Sequence, residues 1–121
     1  MADSISLSSN SPIDYAEVLE RIGGDISFLE DLLKIYFSEY EEKRIQLEKA
    51  LAGNDFLTIQ ELGHSLKGSS ANLSLIFLQK TALALETAGK ELKEEAVRLA
   101  LTTMDAEIIR LKKFLEDHPL S

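Results

Sequence analysis

The chain has no cysteine and no tryptophan, and only two prolines, two histidines and six glycines in 121 residues. Without cysteine there can be neither a disulfide nor a thiolate metal site, and the composition fits a reducing compartment. No apolar run approaches the ~20 residues that a membrane-spanning helix needs. Met1–Ser11 has neither the basic start nor the apolar stretch of a signal peptide. Cytoplasmic residence is therefore expected. Positive charge is scarce as well: 13 Lys and Arg stand against 21 Asp and Glu, for a net charge of −8. That balance disfavours nucleic acid and anionic membrane surfaces, whose phosphates it would repel. What is present is ordinary for a globular protein, with 45% hydrophobic and 28% charged residues in a length suited to one domain.

The chain divides into a serine-rich tail, residues 1–11, expected to be disordered, and a helical region over 12–118. Ser11-Pro12-Ile13-Asp14 reads as a helix start, with Ser11 as cap and Pro12 at the first helical position. This short helix ends at Gly23-Gly24. Asp25 opens a long second helix in which Ile26, Leu29, Leu33, Tyr36, Tyr40, Leu47 and Leu51 form an apolar stripe. Gly53-Asn54-Asp55 stops it and caps the third, from about Phe56 to Asn72, with Ile59, Leu62, Leu66 and Leu73 inward. The fourth runs from about Leu75 to Lys90 with Leu78, Ala82 and Leu85 inward. The fifth carries Val97, Leu101, Met104, Ile108, Leu111 and Leu115 at bundle spacing. No segment alternates as a strand. The fold expected is all-α, an antiparallel four-helix bundle with a short additional N-terminal helix. One bundle already buries these stripes, so a monomer is expected.

His64 lies in the third helix, in the run Gly63-His64-Ser65-Leu66-Lys67-Gly68-Ser69-Ser70. At about 100° per residue, Ile59, Leu62, Leu66 and Leu73 lie on the side of the helix opposite His64. His64 therefore faces solvent, with Lys67, Gly68 and Ala71 beside it at i+3, i+4 and i+7. A neutral imidazole is a good nucleophile near neutral pH, and Lys67 can hold an anion next to it. A mid-helix glycine costs about 1 kcal/mol relative to alanine, and the close approach of a partner would explain Gly68. The bland alternative, a solvated histidine, leaves Gly68 unexplained. Together the three residues look like equipment for carrying a phosphoryl group.

The run His64-Ser-Leu-Lys67-Gly68-Ser69-Ser70-Ala-Asn-Leu73 resembles the signature of histidine-containing phosphotransfer (HPt) domains. Leu19 to Asp25, Phe28 to Leu33 and Leu78 to Glu86 resemble the flanking helices of that family, so the likeness spans about Ile13 to Leu115. It implies that His64 accepts a phosphoryl group on Nε2 from a receiver-domain aspartate and passes it to another receiver. It further implies that Lys67 neutralises the moving charge and that Gly68 leaves room for the receiver. Glu86 matches a position where the family often has glutamine or glutamate near the histidine. Lys90 matches a position that can carry a second cation. The partners implied are receiver domains of response regulators and of hybrid sensor histidine kinases, docking over His64, Lys67, Gly68 and Ala71. Leu75 and Phe77 are candidates for additional contact or for core. No cofactor of its own is implied; magnesium is expected in the receiver. The family usually has glycine at the position of Ser74, where serine can cap the fourth helix instead.

Other classes fit less well. There is no Gly-x-x-x-x-Gly-Lys loop, so the chain should be a stoichiometric phosphocarrier and not an ATP-dependent kinase. A kinase dimerisation helix usually has an acidic residue beside its histidine and a proline about five residues on, where Ser65 and Ser69 stand here. Glu61-Leu-Gly-His64 matches one Glu-x-x-His element of a di-iron bundle, but His118 has Leu115 where the second glutamate belongs, so no metal site is expected. A docking module without chemistry remains the alternative.

Overall fold

A computed structural model describes residues 10–119, and every regular element among them is helical: α1 (Tyr15–Arg21), α2 (Ile26–Ala52), α3 (Phe56–Asn72), α4 (Ile76–Lys90) and α5 (Glu94–Asp117). The helix starts follow from aspartates. Asp14, Asp25 and Asp55 each accept a hydrogen bond from the backbone N–H three residues on, at 3.0, 2.9 and 3.1 Å, and so satisfy a donor that the helix itself cannot. The first helix consequently begins at Tyr15 and is capped by Asp14, not by Ser11 with Pro12 as its first residue. Ser11 is buried, and its hydroxyl donates to the carbonyl of Ile13 at 2.6 Å instead.

Each of the first four helices stops in the same way. The residue after the cap turns into left-handed backbone: Gly23 (φ 83°), Asn54 (54°), Ser74 (56°) and Leu92 (59°). The next N–H then reaches back to a carbonyl in the last turn: Gly24 to Leu19, Asp55 to Ala50, Leu75 to Ser70 and Lys93 to Ala88, at 2.7–3.0 Å. These paired closures are Schellman motifs. Asp55, Leu75 and Lys93 are at once the closing residue of one helix and the cap of the next. Turns this short force successive long helices to run antiparallel.

The apolar stripes meet in one core. Leu29, Leu33, Tyr36, Tyr40, Leu47 and Leu51 from α2 pack with Ile59 and Leu66 from α3. Leu78, Ala82 and Leu85 from α4 and Val97, Leu101, Met104, Ile108 and Leu111 from α5 complete it. Leu62 and Leu115, placed inward by spacing, are half-buried. Across the bundle, Asp105 of α5 accepts from Tyr40 and makes a paired contact with Arg44, Oδ1 to Nε at 3.0 Å and Oδ2 to Nη2 at 3.0 Å. Burial alone would raise the Asp105 carboxyl, but the bonds from Arg44 and Tyr40 outweigh it and hold it low.

The short first helix is tied to the α3–α4 turn. The Asp14 N–H donates to the Ser74 carbonyl at 3.0 Å, and the Ser74 hydroxyl donates to Glu17 at 2.6 Å. Arg21 donates to the carbonyls of Ala71 and Asn72 at the end of α3. Ser74 thus does not cap α4, whose N-cap Leu75 makes no side-chain cap bond. Most of the serine-rich tail, residues 1–9, lies outside the described residues. Its last two residues are anchored, since Arg110 donates to the Asn10 carbonyl at 2.9 Å and Ser11 is buried.

Candidate functional site

The side chains of His64, Lys67 and Glu86 converge on the α3–α4 seam. His64 projects from the middle of α3 with its side chain 70% exposed, as the helical phase requires. Glu86 comes from the last third of α4, with its side chain only 19% exposed. Lys67, one turn after His64, folds back over the same carboxylate. His64 Nδ1 lies 3.0 Å from Glu86 Oε2, and Lys67 Nζ lies 2.7 Å from Oε1. Oε1 is shut off from solvent, and the Lys67 ammonium at 2.7 Å is the cation that compensates its charge.

The electrostatics fix a tautomer. Lys67 is the largest influence on Glu86, pulling its carboxyl below the usual range; burial opposes this, and the bond from His64 reinforces it. Glu86 is therefore an ionised carboxylate at neutral pH and can only accept. The hydrogen at the 3.0 Å contact must lie on Nδ1. In a neutral ring the remaining lone pair is then on Nε2, the nitrogen turned away from Glu86. The arrangement offers solvent an in-plane nucleophile held in one orientation.

Gly68 is exposed, and a Cβ built there would meet nothing within 4 Å. Among the described residues, no packing requires glycine at this position. Ala71 is half-buried on the same face. Lys90 is exposed at the end of α4 and forms no ion pair with a carboxylate among the described residues. Leu75 is fully buried core, whereas Phe77 is half-buried beneath the Arg110 guanidinium at 4.7 Å. Two exposed leucines flank the seam: Leu57, two turns before His64 on its own face, and Leu83, one turn before Glu86.

Two features are not apparent from sequence pattern. Ser70, within the motif, is fully buried and its hydroxyl pairs with that of Tyr36 at 2.8 Å, which locks α3 to α2 behind the histidine. Burial pushes the Tyr36 phenol up to about 12, so it stays neutral and bonded. The other is Gly63. A Cβ there would lie 2.7 Å from the Glu86 backbone nitrogen, so α3 and α4 touch backbone to backbone at the site. The signal available in the sequence is a second glycine five residues before Gly68 in one helix, a costly repetition that spacing alone does not explain.

Residues 31–117 match the family model of the Hpt domain, a span that takes in most of α2 and the whole of α3, α4 and α5 and leaves out α1. No curated protein matches the chain.

Proposed function

From the chain's membership of the Hpt domain family, and from the exposed imidazole with its Nδ1–H held by Glu86, we propose that this protein is a phosphocarrier of a phosphorelay, with His64 as the phosphorylated residue. Hpt domains carry phosphoryl groups and interact with receiver domains. The finer reading is that His64 accepts from a receiver aspartyl phosphate and gives to another receiver aspartate.

In that step the Nε2 lone pair attacks phosphorus in line. The N–P bond forms as the P–O bond to the aspartate breaks, and the bonding pair leaves on the carboxylate oxygen. No proton has to leave Nε2, because the ring hydrogen is already on Nδ1. Glu86 steadies the positive charge that develops on the ring, and the reverse transfer uses the same contacts. Such transfers are driven by positioning and charge compensation. Lys67 is suited to charge compensation, because a rotation of its flexible side chain would carry the ammonium from Glu86 toward phosphoryl oxygens on Nε2. Gly68 and Ala71 keep the face low, so that a receiver active site can close over the ring. The receiver brings the divalent ion.

The observation that carries this reading is the 3.0 Å contact from His64 Nδ1 to Glu86 on an otherwise open face. The test is incubation with phosphorylated receiver domains, comparing the wild type with His64→Gln. Acid-labile, base-stable label on the wild type and none on the variant is expected. No label on the folded wild type across a panel of competent receivers would replace this reading with that of a docking module.

A further inference from the structure

The seam that joins His64 to Glu86 is built on two glycines that face each other's helix. Gly63 on α3 approaches the backbone of Glu86: an added Cβ would sit 2.7 Å from its nitrogen, 2.9 Å from its Cα and 3.2 Å from its Cβ. Gly89 on α4 approaches the backbone of Gln60: a Cβ there would sit 2.8 Å from its nitrogen, 3.1 Å from its Cα and 3.1 Å from Ile59 Cγ2. Each glycine stands three residues from the other's contact on its own helix, so the two contacts form one reciprocal crossing. Relaxed carbon contacts are about 3.5–4.0 Å. The crossing is therefore closer than any pair of side-chain-bearing residues would allow, and the nearest obstructing atom at each glycine is backbone, which cannot swing aside.

This closeness has a chemical consequence. His64 follows Gly63 directly, and the backbone that Gly63 touches is that of Glu86 itself. We propose that Gly63 and Gly89 are positioning residues for the phosphoryl site: the glycine crossing sets the helix separation at which Glu86 can hold His64 Nδ1. A methyl group on Gly63 would drive the two backbones apart by roughly 1 Å. A 3.0 Å contact lengthened by that amount is no longer a hydrogen bond. The effect on transfer rests on the phosphocarrier reading; the effect on the ring tautomer does not.

The two glycines flanking His64 in the motif thus have opposite roles. Gly63 faces inward onto backbone, whereas Gly68 faces open space. Only the first governs where Glu86 sits.

The test is Gly63→Ala, with the His64 tautomer read from imidazole 15N shifts at a pH where the ring is neutral. Phosphorylation by a receiver is timed on the same samples, all in trimethylamine N-oxide to favour the compact state. The wild type is expected to hold its hydrogen on Nδ1. Gly63→Ala is expected to shift toward the Nε2–H form seen in Glu86→Ala, and transfer to slow by roughly tenfold to a hundredfold. If Gly63→Ala does not fold, Gly89→Ala decides, with the same expectation. Leu111→Ala, a core truncation at the far end of α5, supplies a comparably weakened fold and should keep the wild-type tautomer.

Folded seam variants that retain the wild-type tautomer would overturn the proposal, as would a tautomer shift of equal size in Leu111→Ala. Altered tautomer with unchanged transfer would also overturn it, by removing the role in the reaction. A wild type that shows the tautomer shift on mutation yet accepts no phosphate would instead overturn the phosphocarrier reading and leave the crossing as the determinant of ring state.

Discussion

Gly68 gives the sharpest separation of stability from function. It lies mid-helix at negative φ, where glycine costs about 1 kcal/mol relative to alanine. A Cβ at this position meets nothing within 4 Å, so nothing offsets that gain. Gly68→Ala is expected to stabilise the fold by about 1 kcal/mol, which for a domain of this size is a rise in Tm of roughly 4 °C. Gly63→Ala, the same chemical change five residues earlier, should lower Tm because its Cβ lands 2.7 Å from backbone. The functional arm uses Gly68→Gln. Its side chain would rise from the turn beside His64, about 5–6 Å from the histidine Cβ, and would hold a docking receiver off the ring. A 1 Å displacement can cost roughly a hundredfold in rate, and a glutamine adds more height than that. Single-turnover transfer from a phosphorylated receiver, followed by rapid quench, should fall at least that far while the circular-dichroism melt stays at or above that of the wild type. A lower Tm for Gly68→Ala would expose a contact that the geometry does not contain. Normal transfer by Gly68→Gln would defeat the close-approach argument.

Further outcomes follow from the same contacts. Lys67→Ala should slow transfer by roughly tenfold without abolishing it, since the imidazole and its orientation remain; an unchanged single-turnover rate would remove its electrostatic role. The Glu86 carboxyl is held below its ordinary value in the folded state, so its stabilising contribution is present above the unfolded carboxylate range near ~4.3 and is lost as pH falls through the lower folded value. Urea midpoints of wild type and Glu86→Gln should therefore differ at pH 7 and converge as acid protonates the folded-state carboxylate, and a gap that is constant with pH would contradict the ion pair. Leu92 is exposed at φ 59°, a left-handed conformation that costs a side-chain-bearing residue about 1–2 kcal/mol. After the extra unfolded-state freedom of glycine is subtracted, Leu92→Gly should gain up to ~1 kcal/mol in urea denaturation, and a loss would mean that Leu92 makes a contact of its own.

The parts of this molecule that repeat along one chain are legible in the sequence. The α2 stripe from Leu29 to Leu51 and the α5 stripe from Val97 to Leu111 are periodic, and periodicity reports burial within a helix. Asp25 and Asp55 announce two helix starts because a short acceptor side chain satisfies an orphan N–H locally. The first helix start is misplaced by sequence because Ser11-Pro12 and Asp14 are competing local signals, and tertiary contacts of Ile13 and Ser74 decide between them. Ser74 looks like a cap for the same reason: its hydroxyl has a partner in Glu17, 57 positions away, that local pattern does not reveal. His64, Lys67 and Gly68 share one face of one helix, so spacing suffices. Glu86 sits on another helix, and only the family likeness points to it. Gly63 is not legible because its reason is the neighbouring backbone.

The central claim is that His64 carries phosphate on Nε2 because Glu86 holds the hydrogen on Nδ1. Its most direct test is 15N–31P correlation on the protein labelled in its histidines and phosphorylated by a receiver. Coupling of phosphorus to Nε2 of His64 alone, with Nδ1 still protonated, is the result predicted. Phosphorus on Nδ1, or on any residue other than His64, would contradict the claim.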